Sequence, residues 1–495
     1  MTWSCRIVLS VLCAVLVGCA VSPDYHPPAP DVPARWSEAP QSSQAAGLAD
    51  SPWWRTLGDP VLDSLVERAL RANLDLQLAE ARVREARARR GTAAASQWPS
   101  LDARASVARE RDSQNAPNPV LVQPDGQVEP PGQSENLFQA GFDARWELDL
   151  FGGRRRAIEA AQSDLEAVAY DRDAVLLTLL AEVSRNYIEL RGAQEQARIA
   201  RESLAAQQDM LTLVRARYAG GMGTDLDVAR AEAQVQQTAS QLPALDTSYK
   251  KAVHRLGILL GQPPGALAGE LGADRPAPVI SIQPPLGLPS DLLRQRPDIR
   301  SAERRLAAAS ARLGVATTDL YPKFSLLGAV GLASVAAGDF FNGASTLWSI
   351  GPAMTWPIFQ GGRIVATIKV RDAQQQEALI EYRRAILSGI EDVENAVAAY
   401  QHEQAQRTMV IKAVASEQRA VGYARQRYRG GLTDFRDVLD AQRSLYFSQS
   451  ELARHETAVS LDLVALYKAL GGGWNAVGRP DREPPHALGS EGEAK

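Results

Sequence analysis

The chain has 495 residues and a nearly balanced charge, with 54 basic and 58 acidic side chains and a net charge of −4. This balance lacks the basic surplus that binding to nucleic acid requires, so no nucleic-acid partner is expected. The 5 histidines lie singly on separate segments and no glycine-rich phosphate loop follows a strand, so neither a metal or other cofactor nor an enzymatic activity is expected.

The amino terminus has the pattern of a secretion signal. Arg6 precedes an apolar run from Ile7 to Val17, which is too short to span a bilayer as a helix. Leu16-Val17-Gly18-Cys19 resembles a bacterial lipobox, which implies removal of residues 1–18 and attachment of N-acyl and S-diacylglycerol groups to Cys19. An ordinary signal peptide with an incidental cysteine is the alternative. Because alanine rather than aspartate follows the cysteine, the resemblance favours sorting to the outer membrane.

A duplication organises the rest of the chain. Arg217-Tyr218-Ala219-Gly220-Gly221 matches Arg427-Tyr428-Arg429-Gly430-Gly431 at an offset of 210 residues. A unit of this length is too long for a solenoid repeat and indicates a duplicated half that closes on its twin. The predicted organisation is a lipidated tether at 19–55, a first repeat at 56–265, a linker at 266–289, a second repeat at 290–473 and a flexible tail at 474–495.

The first repeat opens with a helical pattern from Pro60 to Ser96, in which apolar residues recur at spacings of three and four. Alternation of apolar and polar residues then predicts a strand at 101–107 and, after a loop at 112–134, a second strand at 137–148. One face of the second strand is apolar and rich in aromatic side chains, whereas the other face is charged.

Each repeat ends in a helical hairpin. The proline-free segment 154–218 predicts a helix of roughly 100 Å, which needs a packing partner. The turn at 219–224 supplies that partner by sending the chain back through 225–260. Pro243 is expected to kink the returning helix, since its counterpart in the second repeat is Ala453. The second repeat has the same plan, with a helix at 290–319, strands at 323–333 and 346–358, a helix at 363–428, a turn at 429–433 and a helix at 434–470.

The pattern of the strands determines which architectures are possible. Strands with one apolar and one charged face need lipid on one side and water on the other, and even the smallest membrane barrels use about eight strands. Several copies must therefore pool their strands. The predicted fold is a mixed α+β membrane protein, in which the pooled strands form one barrel and the long coiled helices form a second, helical cylinder. No apolar run of about 20 residues follows the signal segment, so no membrane helix is expected.

The layout resembles the TolC-like outer-membrane efflux proteins, and especially the NodT-type lipoprotein branch that serves RND-type drug pumps. The motifs that carry the resemblance are spread along nearly all of the mature chain. They include Ser51-Pro52-Trp53-Trp54, Arg296-Pro297-Asp298-Ile299, Asp319-Leu320-Tyr321-Pro322, Trp356-Pro357-Ile358-Phe359 and Leu439-Asp440-Ala441-Gln442-Arg443. The resemblance implies a homotrimer whose strands form a β-barrel in outer-membrane lipid and whose helices form an α-helical barrel in the periplasm.

The same resemblance implies a function. It is that of a passive duct in a tripartite efflux system, exporting drugs or other small toxic compounds. The implied partners are a periplasmic adaptor (membrane fusion) protein and an inner-membrane pump of the RND type. A duct for type I secretion or for metal export is an alternative within the same class. An alternative from another class is a non-transporting helical scaffold of the envelope, but a scaffold does not need strands with one apolar and one charged face.

A candidate gate follows the second turn. Asp440 and Arg443 stand at positions i and i+3 and therefore share a helix face. The resemblance implies that residues of this motif close the periplasmic mouth through ion pairs. Arg436 stands one turn earlier, where the family often has an apolar constriction residue. A solvated helix face is the alternative interpretation.

The turns themselves are candidate contact sites for the adaptor. Glycine pairs at both turns, Gly220-Gly221 and Gly430-Gly431, allow the positive φ of a tight helix end. Because exposed loops on a rigid scaffold commonly carry binding, we expect these tips to face the adaptor.

Overall fold

The computed structural model describes residues 24–29, 32–38, 52–111, 113, 134–275, 278 and 286–475. The predicted signal segment, Cys19, most of the loop at 112–134 and nearly all of the tail at 474–495 lie outside these residues.

Helices and four strands alternate in the predicted order. The helices are α1 Pro60–Ala72, α2 Leu74–Ala95, α3 Gly153–Ala219, α4 Asp225–Ala239, α5 Leu242–Leu259, α6 Ala268–Leu271, α7 Leu292–Gln295, α8 Pro297–Thr318, α9 Arg363–Arg429 and α10 Phe435–Ala469. The strands are β1 Ser100–Arg111, β2 Ser134–Leu148, β3 Lys323–Ser334 and β4 Thr346–Thr355. Short 3-10 turns precede α1 and α7 and connect β3 to β4.

The chain forms two compact units, and each draws on both predicted repeats. One contains Met1–Pro28, Arg84–Glu166 and Arg304–Ile380, and it holds the four strands. The other contains Ala29–Val83, Ala167–Glu303 and Glu381–Lys495, and it holds most of the two helical hairpins. Among the described residues, none of the helices combines the length and apolar character needed to cross a membrane.

The strands form one antiparallel sheet in the order β1-β2-β3-β4. Phe142 on β2 lies opposite Ala103 on β1 and Val330 on β3, and Val330 lies opposite Trp348 on β4. Because directly opposed residues point to the same face, this register gathers most of the large apolar side chains on one side. The larger side chains on that side are Leu101, Val107, Phe138, Phe142, Trp146, Phe324, Leu326, Val330, Leu332, Trp348, Ile350 and Met354.

The opposite face of the sheet is polar on β1 and β2. Arg104 and Asp143 form an ion pair there, with 3.2 Å between the guanidinium Nε and the carboxylate Oδ2. The outer edges of β1 and β4 have no strand partner within the part of the chain that the structure describes. Unpaired edges are templates for pairing with another chain, so the sheet is open at both ends.

Two predicted helices are interrupted. The helix expected from Pro60 to Ser96 breaks at Asn73, whose side-chain Oδ1 accepts the Leu76 N–H at 2.9 Å while its Nδ2 donates to the Leu259 carbonyl at 2.9 Å. The prediction of one helix was wrong because the amide side chain of Asn73 replaces backbone hydrogen bonds and ties the break to α5.

The helix expected at 290–319 is also divided. Arg296 is extended ahead of Pro297, as residues before proline usually are, and α8 starts at that proline. The buried Arg296 guanidinium donates to the Ala469 carbonyl at 3.0 Å and to the carboxylates of Asp298 and Asp392 at 2.7 and 2.9 Å. This loop therefore joins α8 to both α9 and α10.

The prediction of a kink at Pro243 is confirmed. The chain leaves the helix at Ser240 and Gln241, and Pro243 falls in the first turn of α5, where its missing N–H is not needed. Its counterpart Ala453 lies inside the unbroken α10. The long helices at 154–218 and 363–428 are confirmed as α3 and α9, each of 67 residues.

In the helical unit, Trp53, which precedes α1, packs against residues at the end of α10 and just beyond it. The fully buried Trp53 indole stacks on Tyr467 with 5.1 Å between ring centroids and donates its N–H to the Gly472 carbonyl at 3.2 Å. Part of the predicted tether is also fixed, since the backbone N–H groups of Ser37 and Glu38 donate to the Glu394 carboxylate at 2.7 and 3.0 Å.

Candidate functional site at the helical hairpin tips

The first tip is a helix end of the Schellman type. The Met222 N–H donates to the Arg217 carbonyl at 2.8 Å, and the Gly221 N–H donates to the Tyr218 carbonyl at 2.9 Å. Gly221 has φ +72°. Thr224 then starts α4 with a capping box, in which its side chain accepts from the Asp227 N–H while the Asp227 carboxylate accepts from the Thr224 N–H.

The second tip repeats this geometry. The Leu432 N–H donates to the Arg427 carbonyl at 2.9 Å, the Gly431 N–H donates to the Tyr428 carbonyl at 3.0 Å, and Gly431 has φ +70°. Positive φ is thus found at the second glycine of each pair only. Gly220 and Gly430 still continue the helical hydrogen bonding, to Ala216 and Gln426 at 3.1 Å each, and need no left-handed backbone.

An apolar cluster binds the two hairpins to one another near their tips. Its first-hairpin members come from α3 and α4, and its second-hairpin members come from the end of α9 and the start of α10. The buried members are Met210, Leu211, Val214, Ala231, Val235, Tyr428, Phe435, Val438 and Leu439. Their contacts make the tips of one chain a single packed body.

Arg217 reinforces this contact from the first hairpin. Its guanidinium carbon lies 4.6 Å from the centroid of the Tyr428 ring, in cation–π geometry, and the guanidinium donates to the Tyr428 carbonyl. Burial raises the pKa of Tyr428, and the charge of Arg217 opposes that shift. On the first hairpin the equivalent Tyr218 is exposed, and its hydrogen bond to Asp225 raises its pKa.

The predicted gate residues divide between two partners. Arg436 and Asp440 form an exposed ion pair one helical turn apart, with 3.6 Å between Nε and Oδ2. Arg443 donates instead from Nε to the Gln234 Oε1 on α4, at 2.5 Å. Asp440 is therefore joined to Arg436, while Arg443 ties α10 to the first hairpin. The predicted closure of the periplasmic mouth by these residues depends on contacts between copies of the chain.

Sequence reasoning missed the partners that the first hairpin supplies. Gln234 is not part of any motif, and no neighbouring residue indicates that its side chain accepts a hydrogen bond from Arg443. The repeated Arg-Tyr pair at both tips was visible, and its recurrence was the available signal that Arg217 and Tyr428 have a shared role. Among the described residues there is no group of three or more histidine, cysteine, aspartate or glutamate side chains placed to hold a metal ion.

Comparisons with known proteins agree with this geometry. The family profile described as outer membrane efflux protein matches residues 65–262 and 288–472. The pyoverdine export outer membrane protein OpmQ of Pseudomonas putida is 36% identical over 446 residues, which cover 90% of this chain and 92% of the relative. The cation efflux system protein CusC of Escherichia coli is 30% identical, with 95% and 99% covered.

A solved structure extends the likeness to three dimensions. The outer-membrane channel OprN superposes with a TM-score of 0.85 at 35% identity, covering 92% of this chain and all (100%) of that one. The match spans both the sheet and the two hairpins. The chain therefore belongs to the outer membrane efflux protein family, and it is the outer-membrane channel component of a tripartite efflux system, located in the outer membrane and extending into the periplasm.

Proposed function

We propose that three copies of this chain assemble into one passive export duct. The observation that carries the proposal is the sheet, which has one face rich in large apolar side chains and, among the described residues, no strand partner at either outer edge. Pairing β1 of one copy with β4 of the next satisfies both edges. The 4 strands of each copy then give 12 in all, enough to close a barrel where about eight is the minimum.

The test combines mass and conductance. The full chain, extracted in detergent, should have the mass of a trimer by light scattering, and after reconstitution it should form ion-conducting pores in planar bilayers. A monomeric mass would refute the assembly. A trimer without conductance at any voltage would instead show that the resting duct is shut, and Asp440→Ala should then open it.

The tips supply the surface for a periplasmic adaptor. Met222, Leu226 and Leu432 are 66%, 56% and 72% exposed, although they are apolar and lie within a few residues of the two turns. Clustered exposed apolar side chains are typical of contact sites. The proposal is that an adaptor packs on these side chains and joins the duct to an inner-membrane pump of the RND type. Leu432→Asp should then abolish co-purification with the adaptor while the trimer mass stays unchanged.

The gate is proposed to lie in a ring of symmetry-related Arg436, Asp440 and Arg443 side chains. Like charges of three copies would approach one another around the axis, so each arginine needs a carboxylate or amide to hold it. Asp440 provides this for Arg436, and Gln234 provides it for Arg443. Removing either partner leaves an arginine free to repel its symmetry mates, and the mouth should widen.

The cargo is proposed to be a small toxic compound such as a drug, with the choice made by the pump. Among the relatives, OpmQ is named for pyoverdine export, CusC for cation efflux and TtgI of Pseudomonas putida for toluene efflux. Such varied names within one family support a duct that does not itself select. Exchanging the pump while keeping this chain should therefore exchange the resistance profile, and an unchanged profile would place selection in the duct.

Cys19 is proposed to carry the lipid anchor. The lipobox supports this, and so does the absence of any other cysteine from residues 20–495. The lipid adds a second attachment to the outer membrane besides the strands.

A further inference from the structure

The contact between the two hairpins of one chain has an aromatic and cationic centre. Tyr428 of the second hairpin is only 5% exposed, and Arg217 of the first hairpin lies over its ring. Phe435 contacts the same ring, with 5.9 Å between centroids. Together these three residues join the end of α3 to the turn between α9 and α10.

The duplication places the same two residue types on the other flanks of the hairpins. Arg427 and Tyr218 stand 210 residues from Arg217 and Tyr428 and occupy the same positions in the two Schellman turns. Tyr218 is 44% exposed, however, and within the described residues the exposed Arg427 side chain makes no ion pair or hydrogen bond. One chain therefore contains one completed Arg-Tyr contact and the two separate halves of another.

At the offset of 210 residues, three residues of the completed contact are matched by smaller or more polar residues. Met210 and Val214 of the completed contact correspond to Ala420 and Ala424 at the same offset. Phe435 corresponds to Asp225.

Asp225 accepts the hydrogen bond of the Tyr218 hydroxyl. An arginine placed over Tyr218 would meet a carboxylate as well as an aromatic face. The charge of Asp225 is complementary to that of Arg427.

We propose that Arg427 of one copy lies over Tyr218 of the next copy and pairs with its Asp225, so that the hairpins alternate around a ring through repeated Arg-Tyr contacts. This inference rests on the trimer proposed above. It specifies which side chains meet when the second hairpin of one chain packs against the first hairpin of another.

The two kinds of contact differ in strength and in chemistry. The contact within the chain is centred on buried aromatic and aliphatic side chains, with a partly buried Arg217 over Tyr428, while the contact between copies replaces Phe435 by Asp225 and depends on an ion pair. Ion pairs at exposed positions are screened by salt, whereas apolar burial is not. The ring of tips therefore separates first between copies, and each chain keeps its own two hairpins together.

Cysteine crosslinking tests the pairing directly. One population of full-length chains carries Tyr218→Cys, another carries Arg427→Cys, and both are co-expressed and treated in membranes with a short bismaleimide. A crosslinked dimer in the mixture, absent from either variant alone, is expected because each position then comes from a different chain. Both positions are exposed, so the substitutions leave the buried cluster intact.

Crosslinking and mass together distinguish the pairing of Arg427 with Tyr218 from the assembly of the trimer. A trimeric mass by light scattering without any crosslinked dimer would overturn the pairing and leave the proposed duct standing. A monomeric mass would overturn both.

Charge reversal gives a second measurement. Arg427→Asp should lower the temperature at which the trimer dissociates, and adding Asp225→Arg should restore it. Arg429→Asp is the matched control, because its counterpart is Ala219 and it has no place in the pairing. Equal effects of the two arginine substitutions, or a failure of the second change to restore the trimer, would refute the inference.

Discussion

Phe142→Lys probes whether the apolar face of the sheet lies against lipid. Phe142 is in the middle of β2, is 52% exposed in the chain, and continues a row formed by Ala103, Val330 and Trp348. Lysine at this position would carry a charge into the centre of the apolar side. Because Phe142 makes its contacts across strands on that side only, the substitution leaves the backbone pairing of the sheet in place.

The free-energy cost of this substitution can be estimated from the position of Phe142 in the middle of the strand. A lysine on the lipid side at the middle of a membrane strand costs about 2 to 4 kcal/mol. The trimer carries the change in every copy, so the assembly loses about 6 to 12 kcal/mol, which is comparable with the whole stability of a typical domain at about 5 to 15 kcal/mol. We expect most of the variant to be missing from the outer membrane.

The assay is the amount of assembled trimer in the outer-membrane fraction, measured by immunoblot at matched synthesis of the parent and the variant. Gln139→Lys is the control, because Gln139 lies on the same strand but on the opposite face, opposite Ser106 and Ala333. The control should assemble nearly as well as the parent. Equal yields of Phe142→Lys and Gln139→Lys would show that the apolar face does not contact lipid.

Three further predictions concern the anchor, the mouth and pH. Cys19→Ser should abolish metabolic labelling with palmitate, and labelling that persists would place the lipid elsewhere. Asp440→Ala and Gln234→Ala should each raise single-channel conductance, because each substitution frees an arginine, Arg436 or Arg443, to repel its symmetry mates. Conductance equal to that of the parent in both variants would mean that these residues only form a solvated helix face. Burial, followed by the charge of Glu403, raises the pKa of Asp462 to about 6. An acid whose pKa is higher folded than unfolded destabilises the fold once ionised, so the free energy of unfolding should fall as pH rises through about 6. Asp462→Asn should therefore raise the unfolding temperature at about pH 8 and leave it unchanged below about pH 4, and an equal gain at both would contradict this linkage.

Features encoded by local chemistry could be predicted from the sequence. The break at Pro243 follows from a missing N–H, and the positive φ at Gly221 and Gly431 follows from the lack of a side chain, so each was visible in a few residues. The break at Asn73 was not visible, since its amide is held by the Leu259 carbonyl 186 residues away.

The candidate gate likewise combines a local feature that the sequence predicts with distant contacts that it does not predict. Asp440 and Arg443 were correctly placed on one helix, because helical spacing is a local property. Their partners were not predictable, since Asp440 had two arginines within reach and Arg443 is held by Gln234, 209 residues earlier. Contacts between distant segments depend on how the hairpins pack, and the spacing of residues along one helix does not determine that.

The environment of Trp53 has a consequence for biogenesis. The ribosome makes this residue early, yet the ring that stacks on it and the carbonyl that accepts its N–H belong to Tyr467 and Gly472, the latter 419 positions later. Contacts between such distant segments are slow to form, because a very long loop must close first. A nascent chain therefore keeps a large indole uncovered through almost all of its synthesis and export. A premature stop shortly before Tyr467 would leave it uncovered for good, and periplasmic proteases should remove such a product quickly.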